Sequence, residues 1–310
     1  MRDGGALEIT QTLTQKNEFN FYSHFTNKNN SPVPGHLRAI VITSIRDVGK
    51  EDMNGNHFRV GDDEFYMTGL LEGILRDSRY DISQVFDVAG VITDDTERDE
   101  IKGNLGEYSR RPMNSARWIH PLDMRNYRGE LLANFTENIP SNFRSLPIQM
   151  TDERIRGKED FENQVLSFAQ NNGADIIISD HLMMRAELLI RAFRNRLLNI
   201  HPAITNRDNP LNLRGKSPTQ DALDRSNGFR RNHVTGEIST IEPYRKTGAT
   251  LHFMNEEIDD GPPICDAELT VVHPHDVPQM LRYRNYQNSK IPVFARGIEH
   301  YYSNIYPNID

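Results

Sequence analysis

Asp175-Ile176-Ile177-Ile178-Ser179 is a short, unbroken apolar run of β-branched residues closed off by polar ones. That is the pattern of a strand buried on both faces, as in a parallel sheet. Just upstream, residues 161–170 carry apolar side chains at helical spacing, and Asn171-Asn172-Gly173 stops them. Just downstream, residues 187–194 read as a helix and residues 197–200 as a strand that runs straight into His201-Pro202. Further out, residues 38–43 and 85–92 give two more strands. Residues 63–75, with apolar positions at Phe65, Met67, Leu70, Leu71 and Ile74, predict a helix capped by Asp63. Alternation of this kind means an α/β fold with a mainly parallel, twisted sheet flanked by helices.

The remaining chain fits around that centre. Residues 1–34 are mostly polar and read as an N-terminal extension, whose residues 10–25 have enough apolar character to dock on the main body. The main domain is expected over residues 35–310, with an Asn-, Arg-, Gly- and Pro-rich insertion at about 203–246 that carries one helix near 219–224. Residues 247–254 and 264–272 are two strands, and 275–285 and 291–303 are closing helices. The charge run from Thr93 to Glu100 reads as a solvated loop.

A formal charge of −8 argues against a nucleic-acid surface. No apolar run approaches the ~20 residues that span a bilayer, so no membrane partner is expected. One cysteine, Cys265, excludes an internal disulfide and any multi-cysteine zinc site. With no signal peptide, a cytoplasmic protein is expected. His273-Pro274-His275 lacks a third spaced ligand and reads as a helix-start turn, so no metal is expected.

The chemistry concentrates in two Pro-flanked segments, Asn199-Ile200-His201-Pro202 and Ile258-Asp259-Asp260-Gly261-Pro262. A carboxamide can hold a developing oxyanion, and an imidazole beside a carboxylate can exchange protons with an amine. Asn199 and His201 are two apart, so on a strand they point to one side. In α/β sheets ligands gather beyond the carboxyl ends of strands, where these two stand. Taken alone, an Asn-x-His-Pro segment is more simply a strand cap with a locally bonded histidine. His252 either faces the same cleft or is a satisfied structural histidine.

The neighbouring segments change that weighting. Residues 175–178, Arg196-Leu197-Leu198-Asn199-Ile200-His201-Pro202, Thr247-Gly248-Ala249-Thr250-Leu251-His252-Phe253 and residues 257–264 resemble, in order, the 10-formyltetrahydrofolate-dependent formyltransferases, whose simplest member is phosphoribosylglycinamide formyltransferase. The resemblance implies the family's Rossmann-like fold, with 10-formyltetrahydrofolate as cosubstrate. It also implies Asn199, His201 and Asp259 as catalytic residues working through a tetrahedral intermediate. Asp260, one residue further on, then reads as a solvated loop carboxylate. By the same resemblance the pterin of the folate is held by Met183, Met184, Arg185, Glu257 and Ile258, with Ile178 and Leu197 on an apolar wall. Plain core packing explains Met183-Met184 equally well.

The acceptor is the open question. Where the glycinamide enzyme has a phosphate-binding Gly-Ser-Asn loop, this chain reads Thr43-Ser44-Ile45-Arg46-Asp47-Val48-Gly49-Lys50, without the nest-forming glycines. The long gap between His201 and Asp259, the run Lys216-Ser217-Pro218-Thr219-Gln220 within it, and Leu281-Arg282-Tyr283-Arg284-Asn285-Tyr286 are similar to hydroxyornithine formyltransferases of pyoverdine-type siderophore biosynthesis. The partners implied are a reduced folate and a small-molecule acceptor with a hydroxylamine nitrogen. An amino-sugar nucleotide formyltransferase, with Tyr244 and Arg245 cradling a nucleotide, a phosphoribosylglycinamide formyltransferase, and a catalytically silent folate-binding protein are the alternatives.

Overall fold

The computed structural model describes residues 18–22, 35–43, 53–54, 57–60, 62–94, 96, 123–146, 151–180, 186–206, 212–214, 217–232, 235–257 and 259–309. The strands are β1 (Asn20–Phe21), β2 (Leu37–Thr43), β3 (Met53–Asn54), β4 (His57–Val60), β5 (Asp63–Tyr66), β6 (Phe86–Thr93), β7 (Thr136–Asn138), β8 (Ile176–Ser179), β9 (Leu197–His201), β10 (Phe229–Arg231), β11 (Ile238–Thr240), β12 (Lys246–Phe253) and β13 (Pro263–Val271). The α-helices are α1 (Leu70–Arg76), α2 (Asp152–Asn171), α3 (Glu187–Ala192), α4 (Pro218–Ser226), α5 (Pro278–Asn285) and α6 (Ile291–His300).

Eight strands form one sheet in the order β1-β13-β12-β9-β8-β2-β6-β7. From β9 to β7 every neighbour is parallel. From β9 outward through β12 and β13 to β1 every neighbour is antiparallel. The expected α/β architecture with a mainly parallel sheet is therefore present, and β9 is the strand where the two regimes meet.

Side-chain alternation along the central strands divides the core between the two faces. Leu37, Ala39 and Val41 of β2 and Ile176 and Ile178 of β8 join Leu70, Phe294 and Ile298 under α1 and α6. Ile40 and Ile42 of β2 and Ile177 of β8 join Phe161, Val165 and Leu189 under α2 and α3. A third, smaller cluster of Ala203, Leu213, Ala222, Leu223, Val272 and Leu281 seats α4 of the insertion against the sheet and α5.

Three local readings change. Helix α2 begins well before residue 161, at a Thr151 cap whose side chain accepts the Arg154 N–H, with Asp152 and Glu153 in its first turn. Its first turns carry few apolar residues, so periodicity does not reveal them. Gly173 closes the helix at φ +60°, the left-handed position that favours glycine. Residues 63–66 are strand rather than helix: β5 pairs with β4, and α1 starts only at Leu70 after Gly69. Leu70, Leu71 and Ile74 supply the buried helical face, while Asp63 ends a hairpin turn instead of capping. The charge run after β6 does not begin in solvent. Asp94 is fully buried, and the Ser141 hydroxyl donates to its main-chain oxygen and its carboxylate. Residues 95 and 97–100 of that run lie outside the described residues.

Within the extension, β1 pairs with the edge of β13, Asn20 opposite Asp266. Phe294 of α6, fully buried, meets Phe86 of β6 edge-on at 5.7 Å between ring centroids. Phe294→Ala should cost about 3–5 kcal/mol of stability, measured as a lowered urea midpoint at unchanged slope.

Candidate active site

The pairing of β9 with β12 sets Asn199 opposite His252 and His201 opposite Thr250. Directly opposed residues on antiparallel strands point to the same face, so Asn199, His201 and His252 all stand on one side of the sheet. The loop after β12 folds back over that side. Asp259 sits in it at φ +52°, a left-handed conformation that aspartate tolerates better than most side chains. Gly261 is required two residues later, because a Cβ there would lie 1.6 Å from the Phe253 carbonyl oxygen.

The four polar side chains form one network. The Asn199 carboxamide nitrogen is 3.0 Å from His252 Nε2 and donates to Asp259 Oδ1 at 3.3 Å. His201 Nδ1 is 3.4 Å from the same Asp259 oxygen. His252 Nε2 is 3.9 Å from it.

Proton positions follow from the outer partners. His252 Nδ1 faces the Phe253 carbonyl at 2.8 Å and must donate to it. Burial pushes this imidazole down to about 4, with only partial opposition from Asp259. The ring is therefore neutral near pH 7, and its Nε2 is an acceptor. That fixes the amide of Asn199 with nitrogen toward His252, since its carbonyl oxygen would face two acceptors. His201 Nε2 faces the Leu213 carbonyl at 3.0 Å and donates to it. Nδ1 is thus the His201 atom left to exchange a proton, and it looks at Asp259.

This equipment suits acyl transfer to nitrogen: an oriented amide donor for a developing oxyanion, and an imidazole-carboxylate pair to move the proton. A model of the formyl transferase domain matches residues 137–293, just over half of the chain. The chain belongs to the formyl transferase family. Among solved structures it is similar to PvdF of pyoverdin biosynthesis, a structurally unique N10-formyltetrahydrofolate-dependent formyltransferase. That match has 28% identity and a TM-score of 0.74, and it covers 87% of this chain and 100% of that one. Glycinamide ribonucleotide transformylase 1 from Symbiobacterium toebii matches at 17% identity and a TM-score of 0.48, over 86% of this chain and 87% of its own. A formyltetrahydrofolate deformylase from Pseudomonas syringae pv. tomato matches at 16% identity and a TM-score of 0.46, over 85% of this chain and 60% of its own. No curated protein matches by sequence.

The other residues singled out from sequence are spread more widely. Met183, Met184, Arg185 and Ile258 lie outside the described residues, as does the segment 44–50 after β2. Glu257 is exposed at the turn after β12, where its N–H donates to the Asn255 side chain. Ile178 and Leu197 are both buried but on opposite faces of the sheet, in the separate cores under α6 and α2. They share no wall; Leu197 alone lies on the face of Asn199 and His201. Asp260 is not a solvated carboxylate: it forms an ion pair with Arg214, and its side chain is only 8% exposed. Tyr244 is taken up by a hydrogen bond to Glu268.

His273 begins the turn before α5, its N–H donating to Asp276 at 2.7 Å. Among the described residues no cluster of His, Cys, Asp and Glu is placed to hold a metal ion. Cys265 is fully buried, and burial pushes its thiol well up.

His252 was legible in sequence only as a histidine alternating with Phe253, and Arg214 not at all. Because the folded state holds His252 well below 6.5, its stabilising contribution is complete above that pH and is lost as pH falls toward 4. The stability advantage of wild type over His252→Gln should therefore shrink between pH 7.5 and pH 4.5, by on the order of 3 kcal/mol at most. Paired urea titrations of the two proteins read this difference, and buried carboxylates common to both cancel from it.

Proposed function

We propose that the protein transfers a formyl group from 10-formyltetrahydrofolate to the hydroxylamine nitrogen of hydroxyornithine, as a step in siderophore biosynthesis. The observation that carries the donor is the likeness to PvdF of pyoverdin biosynthesis, which extends over the whole of that chain; the acceptor is proposed from the resemblance of residues 216–220 and 281–286 to hydroxyornithine formyltransferases. The site geometry supports the reaction class. Asn199 donates its amide hydrogen to the oxygen of the migrating formyl group as negative charge gathers there. The longer of its two bonds, to Asp259 at 3.3 Å, is the one exchanged for the substrate, while His252 keeps the other. His201 takes the proton from the attacking nitrogen at Nδ1, Asp259 stabilises the imidazolium that results, and that proton passes to the departing N10 of the folate as its bond to the formyl carbon breaks and tetrahydrofolate leaves. A hydroxylamine nitrogen is far less basic than an alkyl amine and is neutral at pH 7, so the attack needs little prior deprotonation.

In this proposal the folate is a substrate. Asn199 near the carboxyl end of β9 and Asp259 in the loop after β12 form the donor set beside the 254–257 segment, and residues 183–185 and Ile258 are proposed to complete the folate's cradle. The main domain is proposed to run from residue 35, with 1–34 as an extension and 203–246 as an insertion beside the acceptor. No helix among the described residues is long and apolar enough to cross a membrane. A cytoplasmic location is part of the proposal.

Incubation with 10-formyltetrahydrofolate and, separately, hydroxyornithine, ornithine, an amino-sugar nucleotide or glycinamide ribonucleotide tests the acceptor by release of tetrahydrofolate. Turnover is expected with hydroxyornithine, and preference for a nucleotide acceptor would refute it. Asn199→Ala and Asp259→Ala should each lower kcat by roughly 100- to 1,000-fold at unchanged circular dichroism.

A further inference from the structure

We infer that Arg214 is a positioning residue for formyl transfer, holding the two catalytic loops in register through a single guanidinium. Its Nε and one terminal nitrogen donate to the Thr205 carbonyl at 3.0 and 2.8 Å. The other terminal nitrogen pairs with the Asp260 carboxylate. Thr205 lies on the loop that leaves His201, and Asp260 directly follows Asp259. One side chain thus ties together the backbone beyond each member of the proton-transfer pair. The residue before it completes the arrangement: Leu213 donates its N–H to the Ile204 carbonyl at 2.8 Å and accepts from His201 Nε2. Leu213 sets which His201 nitrogen carries the proton, and Arg214 sets what the other nitrogen faces.

Three physical features make this more than a surface contact. The Arg214 and Asp260 side chains are only 23% and 8% exposed, so removing either strands a poorly solvated charge. Asp259 occupies a left-handed backbone conformation, which persists only where neighbours enforce it, and the tie at Asp260 is adjacent. The two partners approach different edges of the guanidinium, a task for a planar fork that an ammonium cannot share out in the same way. Among the described residues, His201 and His252 approach the Asp259 carboxylate at 3.4 and 3.9 Å, and the Arg214–Asp260 pair stands at the next residue. Arg214 is assigned no contact with substrate; it acts through Asp259 and His201.

The inference rests on the Asn199/His201/Asp259 reading, and one set of variants separates the two. Arg214→Ala, Arg214→Lys and Asp260→Asn are compared with wild type for kcat, KM for the folate and the pH profile of kcat, using whichever acceptor turns over fastest. In parallel, ¹⁵N NMR of the His201 ring follows its Nδ1 resonance through a pH titration, which needs no turnover. Arg214→Ala should lower kcat about 10- to 100-fold with KM changed less than about threefold, and displace the acid limb of the pH profile. Arg214→Lys should recover part of the loss, and the Arg214→Ala/Asp260→Asn double variant should be no worse than the poorer single variant. The His201 Nδ1 titration should move in Arg214→Ala. A wild-type pH profile together with an unmoved His201 titration in Arg214→Ala would overturn the assignment, as would fully additive losses in the double variant. Should Arg214→Ala fail to fold, Arg214→Lys and Asp260→Asn carry the same two readouts. Full activity in Asn199→Ala would instead refute the underlying site, whatever Arg214 does.

Discussion

Everything at the site depends on the register between β9 and β12. A slip of one residue would turn Asn199 and His201 away from His252 and present Leu198 and Ile200 in their place. Leu198, Ile200 and Leu251 are fixed in the core under α6, so the hydrophobic effect that builds the sheet also aims the polar set. The antiparallel pairing matters as well. It brings β12 against the carboxyl end of a parallel-sheet strand, where its histidine lies opposite the asparagine rather than in a distant loop. The aspartate is then delivered by the return of the chain toward β13, with Gly261 allowing the backbone to pass against the Phe253 carbonyl.

That same carbonyl explains why a buried histidine is tolerated. An unsatisfied imidazole in the interior is costly, and a charged one more so. Here His252 gives its single hydrogen to Phe253 and accepts one from Asn199, so both ring nitrogens are satisfied in the neutral form and in no other. The ring becomes a fixed acceptor in a place where neither water nor protonation competes, and Asn199 gains a defined orientation without the entropy cost of ordering it on substrate.

How far the sequence shows this depends on the range of the interaction. Ile176, Ile177 and Ile178 announce a buried strand because each residue carries its own evidence, and the caps at Thr151 and Gly173 are equally local. Residues 63–66, the second strand of a hairpin, read in sequence as the start of a helix because Phe65 and Met67 satisfy a helical spacing as well as a strand's, and only pairing with β4 decides between them. Asn199, His201 and Asp259 were visible as a set through family resemblance. Their common face follows from spacing for the first two and only from tertiary return of the chain for the third. The burial of Asp260 is hidden from the sequence for the same reason. Nothing near it in sequence marks it as buried, and its partner Arg214 comes from a polar insertion that reads as loop.

The far edge of the sheet shows the same dependence on distant partners. Asp266 of β13 is nearly inaccessible, and burial raises its carboxyl above the usual range, opposed by hydrogen bonds from Asn20 and Tyr22. Tyr22, pushed up to about 12, stays protonated as the donor, and its oxygen accepts from Asn206. Asn206 follows Thr205, the residue whose carbonyl Arg214 grips. The strand that closes the open edge is thereby anchored to the loop leaving His201. Polar side chains from the N-terminal segment (Tyr22), the insertion (Arg214), β12 (Thr250) and α5 (Asn285) converge on residues 202–206, so this loop is held from several sides, where an ordinary surface loop would be left to solvent. The His201 ring is thereby fixed in place between the Leu213 carbonyl and Asp259, the placement that the proposed proton transfer needs.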